Sequence, residues 1–262
     1  MQLNGRTALL TGAGGGIGAA MARALSGAGV RLILVGRTAA PLQALATELR
    51  GGHQPLVADL TTADGRDSVQ RLCAALPGGL DILVNNAGIS DFGAFEAQPP
   101  ARLQALIDTN LLAPMLLTQA LLPALRRAPR GLIVNVGSAF GAIGHPGFAA
   151  YCAGKFGLRG FSEALRRELA DSTVGVLYLA PRATATAINS SRVLELNSAL
   201  GNRVDPPEVV AQALLRQLRR ERPRYTLGRP ERVFTRLNAL LPDLLDRALA
   251  RRLPVIRRFF TP

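Results

Sequence analysis

Short apolar segments alternate with helical segments along this chain of 262 residues, and this alternation constrains the fold more than any other feature. The segments with the length and composition of buried strands are 6–12, 31–36, 54–60, 80–88, 131–138, 174–181 and 224–228. The segments with helical periodicity are 16–29, 40–50, 66–76, about 100–126, 149–170 and 206–220. Strands that are apolar throughout and alternate with helices predict an α/β protein, in which helices cover both faces of a parallel sheet.

The loop after the first strand, TGAGGGIG, is rich in glycine and leads directly into a helix. In such a loop Gly12 permits a tight turn, Gly16 lets the backbone approach a pyrophosphate, and Gly18 lets the helix pack closely on the strand. The N-terminus of the helix then faces the anion. We therefore predict that the loop binds a dinucleotide; the alternative is a glycine-rich turn without a ligand.

The segment YCAGK contains Lys155, the only lysine among 31 basic residues. Tyr151 and Lys155 are four residues apart in a helical segment and so lie on one face. A neighbouring cation lowers the pKa of a tyrosine. The compact ammonium of a lysine can also donate hydrogen bonds to several acceptors at once, and a planar guanidinium is poorly shaped for this. The pair therefore predicts proton transfer; the alternative is that one lysine escaped a codon bias toward arginine.

Four motifs occur in a characteristic order: the glycine loop, NNAG at 85–88, Ser138, and the pair Tyr151 and Lys155. Together they resemble the single-domain short-chain dehydrogenase/reductase family over about residues 3–228. The resemblance implies a doubly wound Rossmann sheet of seven strands, a nicotinamide cofactor, and hydride transfer to or from a carbonyl or alcohol carbon. It makes 1–228 a dinucleotide-binding domain that includes the active site and the substrate segment 182–204.

The resemblance also implies a role for individual residues. Ser138 would position the substrate oxygen, Tyr151 would donate the proton, and Lys155 would also bind the nicotinamide ribose. Asn110 would hold a water in the proton relay, or alternatively cap a local break in its helix. The residues expected to bind the cofactor are Gly12, Gly14, Gly16, Ile17, Gly18, Arg37, Asp59, Leu60, Asn86, Ala87, Gly88, Tyr151, Lys155, Pro181 and Thr186.

Two of these assignments leave questions that only a structure answers. Asp59 and Leu60 match the adenine pocket of the family, but an aspartate at a strand end also caps helices. Pro181 and Thr186 match the family stretch PGxxxT, whose threonine reaches the nicotinamide carboxamide. Arg182 stands where the family has glycine, so this loop is expected to depart from the family geometry.

The end of the second strand, VGRT, bears on the choice of cofactor. NAD enzymes usually carry an acidic residue there, which grips the ribose 2′-hydroxyl. Here Gly36 leaves room at the ribose, and the guanidinium of Arg37 is suited to bind a phosphate. We therefore expect NADP rather than NAD, the alternative being that Arg37 is a surface arginine.

The net charge of +13 is concentrated near the C-terminus, where residues 203–262 hold fourteen arginines against six acidic residues. Neither aromatic interleaving nor a nucleic-acid motif accompanies the charge, so no nucleic-acid partner is expected. Cys73 and Cys152 lack metal-ligand spacing and are expected to be reduced, and the isolated His53 and His145 predict no metal site.

We expect no apolar run long enough to span a membrane and no signal peptide ahead of the first strand. These features predict a cytoplasmic protein.

The last segment, 229–262, combines a helical apolar stripe with arginines. The stripe comprises Leu237, Leu240, Leu241, Leu244, Leu245, Ala248 and Leu249. Pro242 and Pro254 would divide the segment or begin new turns. We expect a basic amphipathic helical extension packed on the domain; the alternative is a contact with an anionic membrane or an acyl carrier. Either way, it should hinder the tetramer packing of compact family members, so a homodimer is expected.

These observations predict an NAD(P)-dependent oxidoreductase with a small-molecule substrate. The loop AFGAIGHPGF after Ser138 is apolar, and segment 182–204 carries few charges, so a hydrophobic carbonyl or alcohol is favoured. A catalytically silent dinucleotide-binding sensor or scaffold is the alternative from another class. An epimerase or dehydratase of the extended relatives would need a separate substrate domain, for which the chain is too short.

Overall fold

The fold is described by a computed structural model over residues 1–260. One sheet of seven parallel strands has the order β3–β2–β1–β4–β5–β6–β7. The strands are β1 (Thr7–Thr11), β2 (Arg31–Gly36), β3 (Gln54–Val57), β4 (Ile82–Asn85), β5 (Gly131–Val136), β6 (Val174–Ala180) and β7 (Arg224–Thr226). The predicted α/β fold with a seven-stranded parallel sheet is therefore confirmed.

Helices connect the strands and continue past β7. They are α1 (Gly16–Gly27), α2 (Ala39–Leu49), α3 (Ala63–Ala74), α4 (Pro100–Ile107), α5 (Ala113–Arg127), α6 (Ala149–Glu168), α7 (Ser191–Ala199), α8 (Pro207–Arg220), α9 (Arg229–Leu240) and α10 (Pro242–Arg257). A π-helical turn, Asp108–Leu112, joins α4 to α5 without a break. Helix α7 was not expected, because its stretch looked irregular in sequence; it forms because Val193 and Leu196 bury themselves beside the site.

Two apolar cores cover the faces of the sheet. Neighbouring residues of a strand point to opposite faces, so Leu10 packs with α1 and α8 while Leu9 packs with α3, α5 and α6. Each fully buried apolar side chain contributes about 1.5–3 kcal/mol relative to an exposed one. The fold thereby holds the C-terminal ends of its parallel strands along one rigid edge.

The continuous helix Pro100–Arg127 corrects one sequence-based expectation. The helix has 28 residues, and an 18-residue window within it has a mean hydropathy of 1.4, so it meets the length and composition of a membrane span. Here, however, Leu117, Leu121 and Leu125 are fully buried in the core beneath the sheet. The apolar character of the helix is explained by that packing.

The C-terminal extension consists of α9 and α10, which contact each other and the body of the domain. Pro242 begins α10, so the predicted apolar stripe does not continue along one face. Leu245 is buried, whereas Leu240 is 79% exposed and Leu241 and Leu244 are also exposed. Leu245 and Ile256 are thus buried on the inner face of the extension, and an apolar outer face is in contact with solvent.

Candidate active site

A cleft opens at the C-terminal edge of the sheet between β1 and β4, where the strand order reverses. Ligands bind at this position in open α/β sheets. Its cavity volume is about 130 Å³. The predicted residues that line it are Gly12, Arg37, Asp59, Leu60, Ala87 and Gly88. Residues that sequence reasoning missed also line it, among them Thr11, Thr61, Ile89 and Thr109.

The glycines of the first loop are required by close approaches. Gly12 has a φ of +64°, and a side chain there would put a carbon 2.9 Å from the Cα of Ala87. A side chain at Gly18 would collide with the carbonyl oxygen of Gly12. These two glycines let α1 begin directly against β1 and β4, so the N-terminus of α1 points into the cleft.

Thr11 fastens this loop to the end of β4. Its hydroxyl accepts hydrogen bonds from the backbone N–H groups of Asn86 and Ala87, both at 2.9 Å. The Asn86 side chain donates to the Thr11 carbonyl at 3.0 Å. Asn86 is thus turned toward the backbone rather than the cleft. Sequence reasoning missed Thr11, and its only signal was a polar residue ending an otherwise apolar strand.

Asp59 lies across the cleft mouth from the glycine loop. Its carboxylate accepts from the hydroxyl and the N–H of Thr61 at 2.7 and 2.9 Å, and these bonds lower its pKa, as does nearby Arg37 to a smaller degree. The alternative role as a helix cap is wrong, because Thr62 caps α3 by accepting from the N–H of Gly65. Arg37 is exposed, and within residues 1–260 no salt bridge involves it.

Tyr151 and Lys155 lie one turn apart on α6, and Ser138 follows β5. The ammonium of Lys155 donates to the Val136 carbonyl at 3.0 Å and lies 5.8 Å from the centre of the Tyr151 ring. Burial raises the pKa of Tyr151 to about 12, although a hydrogen bond with the Ser138 side chain lowers it. Burial also lowers the pKa of Lys155 to about 8. The expected lowering of the Tyr151 pKa is therefore not present here, because desolvation of the phenol outweighs its hydrogen bond with Ser138.

Asn110 lies within the π-helical turn and is 1% exposed. Its amide accepts from the Ile89 N–H at 2.9 Å and donates to the Ile89 carbonyl at 2.8 Å. A side-chain carbon at Gly88 would lie 3.0 Å from the Asn110 oxygen and 3.6 Å from the Lys155 nitrogen. Asn110, Gly88 and Lys155 therefore meet at one point. The π-turn, a feature frequent at functional sites, is what brings the asparagine there.

The segment after β6 closes over the glycine loop. A side chain at Gly16 would approach the Thr186 methyl carbon to 2.5 Å. The Thr186 hydroxyl is buried, and within residues 1–260 it has no hydrogen-bond partner. Pro181 accepts from the Ala139 N–H at 2.8 Å and so ties this segment to the loop after Ser138.

The remaining predicted loop residues sit beside the cleft rather than in its lining. Gly14 packs against Pro41, and Ile17 packs against the first core. Both predicted reduced thiols, Cys73 and Cys152, are buried and unpaired. Among residues 1–260, no group of three or more His, Cys, Asp or Glu side chains is arranged to hold a metal ion.

Residues 6–197 match the sequence model of the short chain dehydrogenase family. Nodulation protein G of Rhizobium sp. strain N33 is 39% identical over 180 residues, which is 69% of this chain and 74% of that protein. The 3-oxoacyl-[acyl-carrier-protein] reductase FabG of Escherichia coli is 35% identical over 181 residues, again 69% and 74%.

Solved structures of short-chain dehydrogenases resemble this chain in fold as well as in sequence. A metagenomic short-chain oxidoreductase in complex with NADP is 36% identical, with a TM-score of 0.69 over 82% of this chain and 91% of that one. A 3-ketoacyl-(acyl-carrier-protein) reductase of Brucella melitensis with NADH is 28% identical, with a TM-score of 0.76 and the same coverage. The chain therefore belongs to the short-chain dehydrogenase/reductase family, and it is an oxidoreductase with an NAD(P)-binding Rossmann fold.

Proposed function

We propose that the protein transfers a hydride between NADP(H) and a carbonyl or alcohol carbon of a small apolar substrate. The observation that carries this proposal is the convergence of Ser138, Tyr151, Lys155 and Asn110 beside Gly88, a residue that lines the cleft. These groups can bind an oxygen atom and exchange a proton with it. The alternative, a silent dinucleotide-binding scaffold, does not require this set of side chains to be intact.

The residues of the cleft fit a nicotinamide dinucleotide. The orphaned Thr186 hydroxyl offers a donor to an amide, and the N-terminus of α1 offers N–H groups to phosphate. Arg37 supports NADP, because it is exposed at the rim without a salt bridge in residues 1–260 and lies where a 2′-phosphate would be recognised. When bound, the cofactor supplies or accepts the hydride.

Residues of the protein itself donate the proton to the substrate and take it up again from solvent. With a pKa of about 12, Tyr151 is a neutral phenol at physiological pH and can donate its proton to a carbonyl oxygen that Ser138 also binds. Lys155, with a pKa of about 8, carries a positive charge at neutral pH and stabilises the resulting phenolate. Asn110 bonds to the Ile89 backbone and lies beside Gly88, as Lys155 does, and we infer that it holds a water through which a proton returns from solvent.

We further propose a cytoplasmic homodimer whose exposed face on α9 and α10 contacts an anionic membrane surface. Leu240, Leu241 and Leu244 are exposed there, and the two helices with Arg258 carry eight arginines against three acidic residues. Sedimentation of the full-length protein with phosphatidylserine vesicles and with neutral vesicles tests this. Failure to sediment with the anionic vesicles at low salt would contradict the membrane contact, and a tetramer would contradict the dimer.

The catalytic proposal is tested by a panel of ketones, aldehydes and alcohols, each assayed with NADPH or NADH and with the oxidised cofactors. We expect apolar ketones or aldehydes to be reduced with NADPH at a higher kcat/KM than with NADH. Binding of NADPH without turnover of any member would instead favour the scaffold.

A further inference from the structure

A third apolar cluster, separate from the two cores of the sheet, surrounds the candidate proton donor. Its buried members are Phe92, Phe148, Cys152, Val193, Leu196 and Ile256. The side chains packed against them are Phe140, Tyr151, Leu200, Phe259 and Phe260. We call these residues the aromatic cluster. It joins the loop after β4, the loop after β5, helices α6 and α7, and the C-terminal end of the described chain.

A series of ring contacts leads from Tyr151 to Phe260. The ring centres of Tyr151 and Phe148 are 6.2 Å apart, those of Phe148 and Phe92 are 4.9 Å apart, and those of Phe92 and Phe260 are 5.6 Å apart. Gly147 permits this packing, since a side chain there would lie 2.8 Å from a ring carbon of Phe260. Phe260 thus stands at the far end of an aromatic wall that begins at the reactive phenol.

The extension is fixed to the site at further points. Asn238 of α9 donates to the Ala142 carbonyl, in the loop after β5, at 2.9 Å. Glu231 of α9 pairs with Arg182, at the start of the substrate segment, at 3.4 Å. Ile256 of α10 is fully buried within the aromatic cluster. The helices therefore return the C-terminal end of the chain to the substrate side of its own active site.

We propose that the substrate binds along the aromatic cluster beside the Tyr151 phenol, in a space that we call the substrate chamber, and that Phe260 closes the outer end of this chamber and thereby limits substrate length. This inference deepens the proposed function and rests on it. No member of the aromatic cluster carries a charged side chain, so the chamber suits the apolar tail of a ketone or aldehyde. A short substrate would react at Tyr151 without reaching Phe260, whereas a long one would meet its ring.

Reduction of 2-butanone and 2-decanone with NADPH tests the proposal in full-length protein. Phe260→Ala should raise the ratio of kcat/KM for 2-decanone over 2-butanone by about tenfold or more, because loss of the ring makes room for at least one further methylene, and one methylene in an apolar pocket has an effect of about tenfold. Phe260→Trp should lower the same ratio. Phe234→Ala, at an exposed position of α9, is the matched control and should leave the ratio unchanged. Equal losses for both ketones in both Phe260 variants would show a purely structural role and overturn the proposal.

A second measurement does not depend on turnover. The chain has no tryptophan, so Phe260→Trp introduces a single tryptophan, which can be excited selectively over the three tyrosines. We expect 2-decanone to change its emission, with no change for Phe234→Trp under the same conditions. If wild-type protein reduces neither ketone, the proposed reaction fails for these substrates, and the fluorescence titration still decides whether Phe260 lines the chamber. An unchanged emission at saturating ketone would overturn the inference.

Discussion

The guanidinium of Arg182 forms a bidentate ion pair with the carboxylate of Asp205, with both N–O distances at 2.7 Å. Asp205 is almost completely buried, and its backbone also bonds to Ala183 and Ala185. The pair therefore closes the substrate segment at its base. The same arginine contacts Glu231 of α9, so the substitution of the family's glycine links this segment to the C-terminal extension.

Arg182→Ala should lower the free energy of unfolding by about 3 kcal/mol, because it leaves the buried carboxylate of Asp205 without its partner. Urea denaturation measures this. Arg203→Ala is the control: its side chain is 80% exposed, it lies 3.7 Å from Asp205, and its loss should change the stability by less than about 0.5 kcal/mol. Similar losses in both variants would contradict the anchoring role.

Tyr151→Phe should reduce kcat to below a few per cent of wild type and leave NADPH affinity nearly unchanged, because the phenol acts in the transition state. Turnover and a fluorescence titration of NADPH measure the two effects. Tyr225→Phe, in β7, should behave like wild type. Substantial activity in Tyr151→Phe would remove this residue as the proton donor.

Lys155→Arg should lose most activity although it conserves the charge. Lys155 is 5% exposed and is confined by Val136 and Gly88, so the broader guanidinium cannot take the place of the ammonium. The matched exchange Arg159→Lys, one turn further along α6 in a surface ion pair, should be neutral in the same assay. Near-wild-type turnover of Lys155→Arg would favour codon bias as the reason for the single lysine.

Lys155→Met should remove a pH dependence of stability. The pKa of Lys155 falls from 10.5 to about 8 on folding, so between these values the unfolded chain binds the proton and the folded chain does not. Ionisation of Lys155 therefore lowers the free energy of unfolding of the wild type below pH 8, and this penalty disappears as the pH rises to 10.5. Urea denaturation at pH 7, 9 and 10.5 gives the free energy of unfolding of both proteins. The wild type should become more stable relative to Lys155→Met as the pH rises. A constant difference would contradict the shifted pKa.

Arg37→Ala should raise the KM for NADPH far more than that for NADH, since a charge-assisted phosphate contact contributes about 1.5–3 kcal/mol. Steady-state kinetics with both cofactors measures the ratio. Arg31→Ala, at the exposed opposite end of β2, controls for the loss of one positive charge. Equal effects on the two cofactors would make Arg37 an ordinary surface residue.

Local patterns in the sequence were enough to predict the α/β fold, the glycine loop, and the shared helix face of Tyr151 and Lys155. Each depends on local physics: apolar runs of strand length, glycines before a helix, and two side chains one helical turn apart. The family resemblance also predicted that Gly12, Arg37, Asp59 and Gly88 would lie at one cofactor site, and the four residues line the same cleft.

Contacts between distant segments could not be predicted from local patterns and are known from the folded structure. The pairing of Arg182 with Asp205 and Glu231, the hydrogen bonds of Thr11, and the approach of Phe260 to Phe92 join residues far apart in the chain. The elevated pKa of Tyr151 likewise follows from burial, which no spacing reveals. Local patterns specify which face of an element is apolar, whereas the packing of whole helices selects which faces touch.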